Sequence, residues 1–410
     1  MKTEKTQDNK LEEITSKLEK GISDLFESER YANYLKTMSK LHNYSFNNTL
    51  LIALQKPDAT MVAGYTSWKA AFHRNVMKGE KGIKILAPSP YKIDKVVDKI
   101  DPDTNKPIKG KDGQVLKERI QVTIPAFKVT TVFDISQTEG EPIPEISSVL
   151  KDDVKNFNRL FKAIQQVSPV DIKLKQINNG AKGFYHQEEK YIAIQAGMSE
   201  AQTIKTAIHE VSHSLLHDKD SGSEKDLKLG IRTKEVQAES VAFTVCSHFG
   251  LDTSDYSFGY IAGWSSDKET QELKESMELI KETASQLISN IEEKLYLIEA
   301  DEKIDVLADD VNEFVKSYDP YEYADAVDDE AAFVEEIKSS IEHREVEHIQ
   351  SWLVPILKED DSQELKGEAK QLMERLDEYS NIKAAQLLDE ETLLENAEEM
   401  TNMVQHHRSH

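Results

Sequence analysis

Apolar residues recur at helical spacing over most of the chain, and strand-like spacing is confined to a few short stretches. Two helical stretches are predicted at residues 1–30 and 31–56, and Pro57 ends the second. Strand-like runs follow at residues 83–87 and 119–135. Between and after them, a loop rich in Lys, Asp and Gly is predicted at 93–118 and a linker at 136–147.

The pattern then starts again, which predicts a second domain. A helix is expected at residues 150–167, and short strands at 170–175, 183–186 and 191–194. Ser199 with Gln202 predicts a capping box that opens a helix ending near residue 217, and another helix runs from about Thr233 to Gly250. Beyond it the spacing is helical to the end of the chain. The predicted fold class is therefore α+β, with domains at 1–140, 148–300 and 301–410, the last an acidic all-α region.

Charge is distributed unevenly between these regions. The net charge of the 410 residues is −24, yet residues 31–130 hold 17 Lys and Arg against 8 Asp and Glu. Residues 301–410 hold 10 against 31. The first region suits phosphates and the last repels them. The N-terminus is polar and no apolar run is long enough for a membrane span, so we expect a cytoplasmic protein without a membrane partner.

A metal-binding pattern lies inside the predicted helix 199–217. His209 and His213 are four residues apart, so both imidazoles share one helical face and can reach one zinc ion. Glu210 projects beside the open coordination position, where a carboxylate can act as general base during attack on a carbonyl. The chain has one cysteine, Cys246, so a zinc site must use His and carboxylates.

The following helix supplies two further acids on one face. We interpret Glu235 as the third ligand and Glu239 as a carboxylate that holds a ligand histidine, although the opposite assignment is possible. Tyr260 and Tyr185 are candidates for stabilising an oxyanion. The strands at 183–194 could pair with an extended peptide substrate.

Basic and aromatic residues interleave between residues 44 and 91, as single-stranded nucleic acid requires. A four-residue spacing between Trp68 and Phe72 is also common in protein cores, and a lysine cluster can be only a solvated face. The candidate nucleic-acid contacts are Phe46, Trp68, Lys69, Arg74, Lys78, Lys81 and Lys84.

Two longer motifs add a family resemblance. The segment from Tyr185 through His209-Glu210-Val211-Ser212-His213 to Glu239 resembles the ImmA/IrrE-type metallopeptidases. That resemblance implies a zincin-like domain with zinc at His209, His213 and Glu235 and with Glu210 as general base. Peptidases of this type cleave intracellular regulators, so a protein or peptide substrate is implied.

The N-terminal region resembles the N-terminal domain of ArdC antirestriction proteins, with LtrC-like proteins of Gram-positive plasmids closest in pattern. The matching motifs include Tyr44-Ser45-Phe46-Asn47-Asn48, Gly64-Tyr65-Thr66-Ser67-Trp68 and Phe133-Asp134-Ile135-Ser136-Gln137. The resemblance implies an α+β domain that binds single-stranded DNA, joined to a zinc metallopeptidase-type domain. It also implies protection of conjugative DNA and contact with host restriction machinery. Two alternatives are a cytoplasmic peptidase that cleaves regulators, and a DNA mimic acting through the acidic 301–410 region.

Overall fold

The computed structural model describes residues 2–101, 106–109, 114–142, 154–178, 180–220, 230–253, 258–266, 268–318, 329–343, 346, 349–351, 353–354, 357 and 365–377. They fall into two compact units, Met1–Glu292 and Glu293–His410. The domains predicted at 1–140 and 148–300 both lie in the first unit up to Glu292. Residues 143–147 of the predicted 136–147 linker lie outside the described residues, and its described part includes a short strand, Thr138–Gly140, rather than linker alone.

The described part of the first unit begins with four α-helices and seven strands. These elements are α1 (Lys2–Leu25), α2 (Ser28–Lys40), α3 (Phe46–Gln55), β1 (Val62–Gly64), α4 (Tyr65–Ala70), β2 (Arg74–Val76), β3 (Ile83–Pro88), β4 (Tyr91–Asp98), β5 (Lys117–Ile124), β6 (Phe127–Asp134) and β7 (Thr138–Gly140). Strands β1, β6 and β3 form an antiparallel sheet in that order, and β2–β7 and β4–β5 are two-stranded pairs. Ile83, Ile85 and Val132 of the sheet pack with Ile52 and Leu41 of the helices.

Side-chain amides complete the free edge of this sheet. Asn48 bonds both the N–H and the C=O of Leu86, at 2.9 and 2.8 Å. Gln55, two turns further along α3, does the same for Lys84 at 3.0 and 2.9 Å. The buried Asp134 side chain similarly accepts the backbone N–H of Thr60 at 2.8 Å. An edge strand whose polar backbone groups are paired cannot recruit another strand there.

The strand prediction for this region needs two corrections. The two ends of the loop expected at 93–118 are strand, because Tyr91–Asp98 pairs with Lys117–Ile124 along its whole length. Both strands are largely exposed, so their Lys and Asp residues hide the alternation that burial imposes on other strands. The strand expected over 119–135 is divided into β5 and β6 around Pro125, which has no N–H for a ladder.

The rest of the first unit surrounds a small mixed sheet. Its elements are α5 (Val154–Val167), β8 (Asp171–Lys175), β9 (Gly183–His186), β10 (Tyr191–Gln195), α6 (Glu200–Leu216), α7 (Ile231–His248), α8 (Ile261–Ser265) and the first part of α9 (Thr270–Tyr318). The strand order is β8–β10–β9, in which β10 runs parallel to β8 and antiparallel to β9. Strand β9 therefore forms one edge of the sheet.

Helix α2 of the N-terminal region packs directly on α7. The Tyr31 and Ser240 hydroxyl groups are 2.8 Å apart in the core. At the other end of the contact, the His248 ring lies 2.7 Å from the Ser39 carbonyl oxygen and 2.8 Å from Glu292 Oε1. The basic N-terminal region and the helix that carries Glu235 therefore share one packed interior.

The second unit is helical in its described part, as the sequence predicts. It contains the remainder of α9, α10 (Glu330–His343) and a helical segment at 365–377. Its core is formed by apolar residues that are spaced one or two turns apart along each helix. They include Leu307, Val311, Ile337 and Leu372. No helix among the residues that the structure describes is long and apolar enough to cross a membrane.

Candidate metal centre

Two packed helices, α6 and α7, carry the predicted metal ligands. Helix α6 begins at its N-cap Ser199, whose side chain accepts the Gln202 backbone N–H. Only this half of the predicted capping box forms, because the Gln202 side chain turns to Lys182 and Thr206 instead. Buried residues such as Ile208, Val211 and Ser212 fix one face of α6 in the core. His209 and His213 lie on the remaining face.

His209, His213 and Glu235 converge on one point. The two Nε2 atoms are 3.1 Å apart. Glu235 lies 3.7 Å from His209 Nε2 and 3.6 Å from His213 Nε2, and the ligand atoms all lie within 4.8 Å of one another. Two nitrogens bound tetrahedrally at roughly 2.05 Å from one ion are roughly 3.3 Å apart. The three side chains therefore fit a single small divalent cation without rearrangement.

The electrostatics of the three side chains favour metal binding. Burial, followed by the neighbouring His213, lowers the pKa of His209 from 6.5 to about 4. Contact with His213 lowers the pKa of the Glu235 carboxyl. At neutral pH, His209 is therefore uncharged and Glu235 ionised, which are the forms that bind metals.

Glu210 lies beside the three ligands and is only 8% exposed. Burial raises its pKa from 4.5 to about 7, and Glu235 adds to the rise, while His213 and the backbone N–H of Tyr185 oppose it. A carboxyl group that titrates near neutral pH can accept a proton and release it again. The position and the pKa both suit the general base that the sequence predicts.

Glu239 has a different partner from the one we expected. Its carboxylate accepts a hydrogen bond from the Tyr260 hydroxyl, and burial raises the pKa of both groups. The side chain that contacts a ligand imidazole is instead His217, whose Nδ1 lies 2.9 Å from His213 Nδ1. The reason is geometric, because His217 follows His213 by one helical turn and shares its face.

The two tyrosines proposed for oxyanion stabilisation are already engaged. The Tyr260 hydroxyl donates a hydrogen bond to Glu239, and the Tyr185 hydroxyl donates one to Asp218. Lys190 lies 2.7 Å from the same Asp218 carboxylate and, with Tyr185, lowers its pKa to about 2. Tyr260 therefore contacts the site through Glu239, and the Tyr185 hydroxyl is held by the Lys190–Asp218 ion pair.

A cleft of about 430 Å³ gives access to the ligands. Its floor is α6 and one wall is the start of β9, where Gly183 lies close against α6. A Cβ at this position would lie 2.6 Å from the Thr206 side chain and 3.2 Å from Glu210. The cleft is lined by Lys182, Gly183, Gln202, Lys205, Thr206, His209, Glu210, Glu235 and Glu239.

The sequence patterns did not predict several of these residues as part of the site. Gln202, Lys205 and Thr206 precede His209 by seven, four and three residues, which places all of them on its helical face. That spacing could have identified them. Lys182 and Gln237 carry no such signal, because they reach the site from other elements.

The structure places the predicted nucleic-acid contacts in two groups. Phe46 and Trp68 are 2% and 0% exposed, and the Trp68 Nε1 donates to the Phe133 carbonyl at 2.9 Å. Buried rings offer no face to a base, so the stacking role proposed for them does not fit their position. The exposed aromatic rings of this region are instead Tyr65, Tyr91 and Phe127.

The basic candidates also divide. Arg74 donates to Thr138 Oγ1 at 2.8 Å and to the Thr138 carbonyl at 2.9 Å, which fastens β7 to β2. Lys84 is exposed and contacts Thr131. The exposed side chains of Lys69, Lys78 and Lys81 remain open to solvent.

A family model and several known proteins match parts of this chain. The family model of the N-terminal domain of anti-restriction factor ArdC matches residues 4–133. The uncharacterized protein pXO2-81 of Bacillus anthracis is 29% identical over 329 residues, which are 72% of this chain and 54% of that protein. The chain thus spans about half the length of this curated relative.

Crystal structures of the antirestriction ArdC protein of plasmid R388, one metal-free and one Mn(II)-bound, are also similar. Each is 20% identical and covers 62% of this chain and 85% of its own, with TM-scores of 0.37 and 0.35. The family match ends well before the His209 cluster. Residues 4–133 thus match the ArdC N-terminal domain family.

Proposed function

We propose that this chain is an anti-restriction protein of a mobile element that acts in the cytoplasm, binds single-stranded DNA and carries a zinc metallopeptidase-type active site. The convergence of His209, His213 and Glu235 beside a buried Glu210 is the observation that carries the peptidase part. The match of residues 4–133 to the ArdC N-terminal domain supports the anti-restriction part.

The ligand set suits zinc. Two imidazoles and one carboxylate are the donors of a class of catalytic zinc sites in hydrolases. A further carboxylate beside these ligands, here Glu210, can serve as general base. A bound divalent cation supplies Lewis acidity, which polarises a substrate carbonyl and makes a water molecule more acidic. His209, His213 and Glu235 would hold it, and the remaining groups of the cleft belong to substrate and proton transfer.

Glu210 is the residue that moves a proton. Its carboxylate accepts a proton from the attacking water and later returns it to the leaving nitrogen, which a pKa of about 7 permits at neutral pH. The Tyr185 backbone N–H orients the carboxylate. Burial excludes bulk water from Glu210, so its basicity is not lost to solvation.

An extended protein segment suits the cleft. Strand β9 pairs with β10 along one edge, and no described strand pairs with its other edge. A substrate backbone can add there as a further strand. The absence of a side chain at Gly183 lets β9 itself lie close against Thr206 and Glu210 of α6. Tyr260 contacts Glu239, which lines the same cleft.

The N-terminal region would hold single-stranded DNA through its surface. Lys69, Lys78 and Lys81 are available to phosphates, and the exposed rings of Tyr65 and Phe127 are available to bases. Host restriction enzymes act on DNA, so a protein bound to the incoming strand is placed where it can protect it.

The decisive experiment measures metal, DNA and proteolysis on the same protein. The full chain, stripped with a chelator, is loaded with Zn²⁺ or Mn²⁺, titrated with a labelled single strand, and incubated with restriction and regulatory proteins of a host. We expect one metal per chain, salt-sensitive DNA binding, and cleavage that Glu210→Ala abolishes while metal is kept.

The results also separate the competing functions. Cleavage of a repressor-type regulator with no affinity for single-stranded DNA would favour a regulator-cleaving peptidase. DNA binding with no metal uptake would overturn the peptidase part. Inhibition of a restriction enzyme by residues 301–410 alone would point to the acidic region as a DNA mimic.

A further inference from the structure

A buried chain of polar contacts leads away from the metal cluster, and its first atom is His213 Nδ1. His213 Nδ1 lies 2.9 Å from His217 Nδ1, and His217 Nε2 lies 3.0 Å from Gln237 Oε1. The Gln237 side-chain amide nitrogen then donates to Ser276 Oγ at 3.0 Å. His217, Gln237 and Ser276 are 3%, 2% and 7% exposed. Three elements, α6, α7 and α9, each contribute to this chain.

The direction of these hydrogen bonds follows from the chemistry of the last members. An amide oxygen can only accept, so His217 Nε2 must carry a proton to bond Gln237. The ring partners of His217 are an imidazole and an amide, and a deeply buried imidazolium without a paired acid is costly. His217 is therefore neutral, and its Nδ1 carries a lone pair.

The lone pair on His217 determines the state of His213. Two facing Nδ1 atoms at 2.9 Å form a hydrogen bond only if one donates, and here the donor is His213. A neutral His213 with its proton on Nδ1 has its lone pair on Nε2, the atom that lies 3.1 Å from His209 Nε2. That lone pair points at the position where His209 and Glu235 converge.

We propose that His217 and Gln237 are positioning residues that fix the tautomer of His213, so that its Nε2 lone pair is presented to the metal. The inference rests on the proposed metal site and assigns the role of orienting a ligand imidazole to a histidine–glutamine relay. Ser276 holds the Gln237 amide so that its oxygen faces His217. Reversing the relay would place the proton of His213 on Nε2 and block the ligand position.

Two substitutions at one position test this direction. Gln237→Glu keeps an acceptor for His217, and the Ser276 hydroxyl can rotate to donate to the new carboxylate. Gln237→Leu removes the acceptor and frees the relay to reverse. Gln271→Leu is the matched control, since the Gln271 side chain is exposed on α9 and donates a hydrogen bond to Glu275.

The first readout is ¹⁵N NMR of the metal-free full chain labelled at histidine, in which protonated and unprotonated ring nitrogens resonate far apart. We expect the parent protein, Gln237→Glu and Gln271→Leu to hold the His213 proton on Nδ1. In Gln237→Leu a fraction of His213 moves its proton to Nε2. Because the measurement needs no metal, it reports the relay itself.

The second readout is the affinity for Zn²⁺ and Mn²⁺ against a competing chelator. Loss of the partner that orients a ligand histidine typically lowers metal affinity about 10–100-fold. We expect that loss for Gln237→Leu, and affinity equal to or above that of the parent for Gln237→Glu.

If the parent itself takes up no metal, the proposed site fails. If the parent binds metal but Gln237→Leu matches it in both affinity and tautomer, the relay is wrong. A parent with the His213 proton on Nε2, and a gain in metal affinity in Gln237→Glu and Gln237→Leu, would mean that the amide donates to His217 and the direction is reversed.

Discussion

Sequence patterns predicted the positions of the metal-cluster residues, but they did not predict the positions of the aromatic residues in the basic N-terminal region. The three residues predicted as ligands, His209, His213 and Glu235, do lie within 4.8 Å of one another. Among the predicted nucleic-acid contacts, by contrast, Phe46 and Trp68 are in the core. The difference lies in what each pattern specifies. Two histidines four apart define a geometry, whereas aromatic and basic residues in alternation define only a composition.

A helical spacing fixes relative direction before any tertiary contact forms. An aromatic residue among lysines has no such constraint, and burial of a large ring stabilises the fold more than exposure does. The lysines remain at the surface because their charged ammonium groups stay in contact with water. Each of the following predictions tests one side of this contrast.

The largest effect is expected from His213→Ala. Removing one of three ligands should lower metal affinity by more than about 100-fold, the upper end for losing a residue that merely orients a ligand. Metal content after dialysis measures it, with His343→Ala, an exposed helix residue of the second unit, as control. Full metal occupancy in His213→Ala would place the site elsewhere.

Trp68→Ala should destabilise the protein by about 3–5 kcal/mol, because it empties a fully buried position and removes the bond to Phe133. Chemical unfolding measures this, and Lys69→Gln, the exposed neighbour, should change stability by about 0.5 kcal/mol or less. If Trp68→Ala keeps its stability and loses DNA affinity, the stacking role returns.

Glu210→Gln should retain the metal and stabilise the metal-free protein at pH 8 by on the order of 1–3 kcal/mol. The folded-state pKa of Glu210 is raised from 4.5 to about 7, so the folded protein binds the extra proton between these values. Stability is therefore lost as pH rises from 4.5 through 7, and glutamine removes that loss. Thermal unfolding at several pH values should show the two proteins converging below pH 4.5, and a constant difference would exclude this cause.

The smallest effect is expected from Lys78→Gln with Lys81→Gln. Each lysine that contacts a phosphate should reduce the slope of log affinity against log salt by about 0.7 on single-stranded DNA. Titrations at several salt concentrations measure it, with Lys366→Gln and Lys370→Gln in the second unit as the control pair. An unchanged slope would move the DNA surface away from this turn.

The sequence predicted the order of elements better than their limits. It predicted helix α6 with its N-cap Ser199 and the strands at Gly183–His186 and Tyr191–Gln195, because burial imposes a clear period there. It missed β4 because an exposed ribbon has no buried face to reveal its period. The motif residues Asn48 and Asp134 are visible in the sequence, yet their roles at strand ends and edges appear only in the fold.

The sequence alone determined which side chains of α6 can bind a metal. The tertiary structure determined which residues of other helices contact those side chains. Local spacing alone put two imidazoles on one face of a helix and a carboxylate next to them. Only the packing of α7 against α6 brought Glu235 and Gln237 to those imidazoles, and Ser276 of α9 reaches them only through its hydrogen bond with Gln237. Burial in that packed interior, which no local pattern encodes, is also what moves the pKa of Glu210 to about 7.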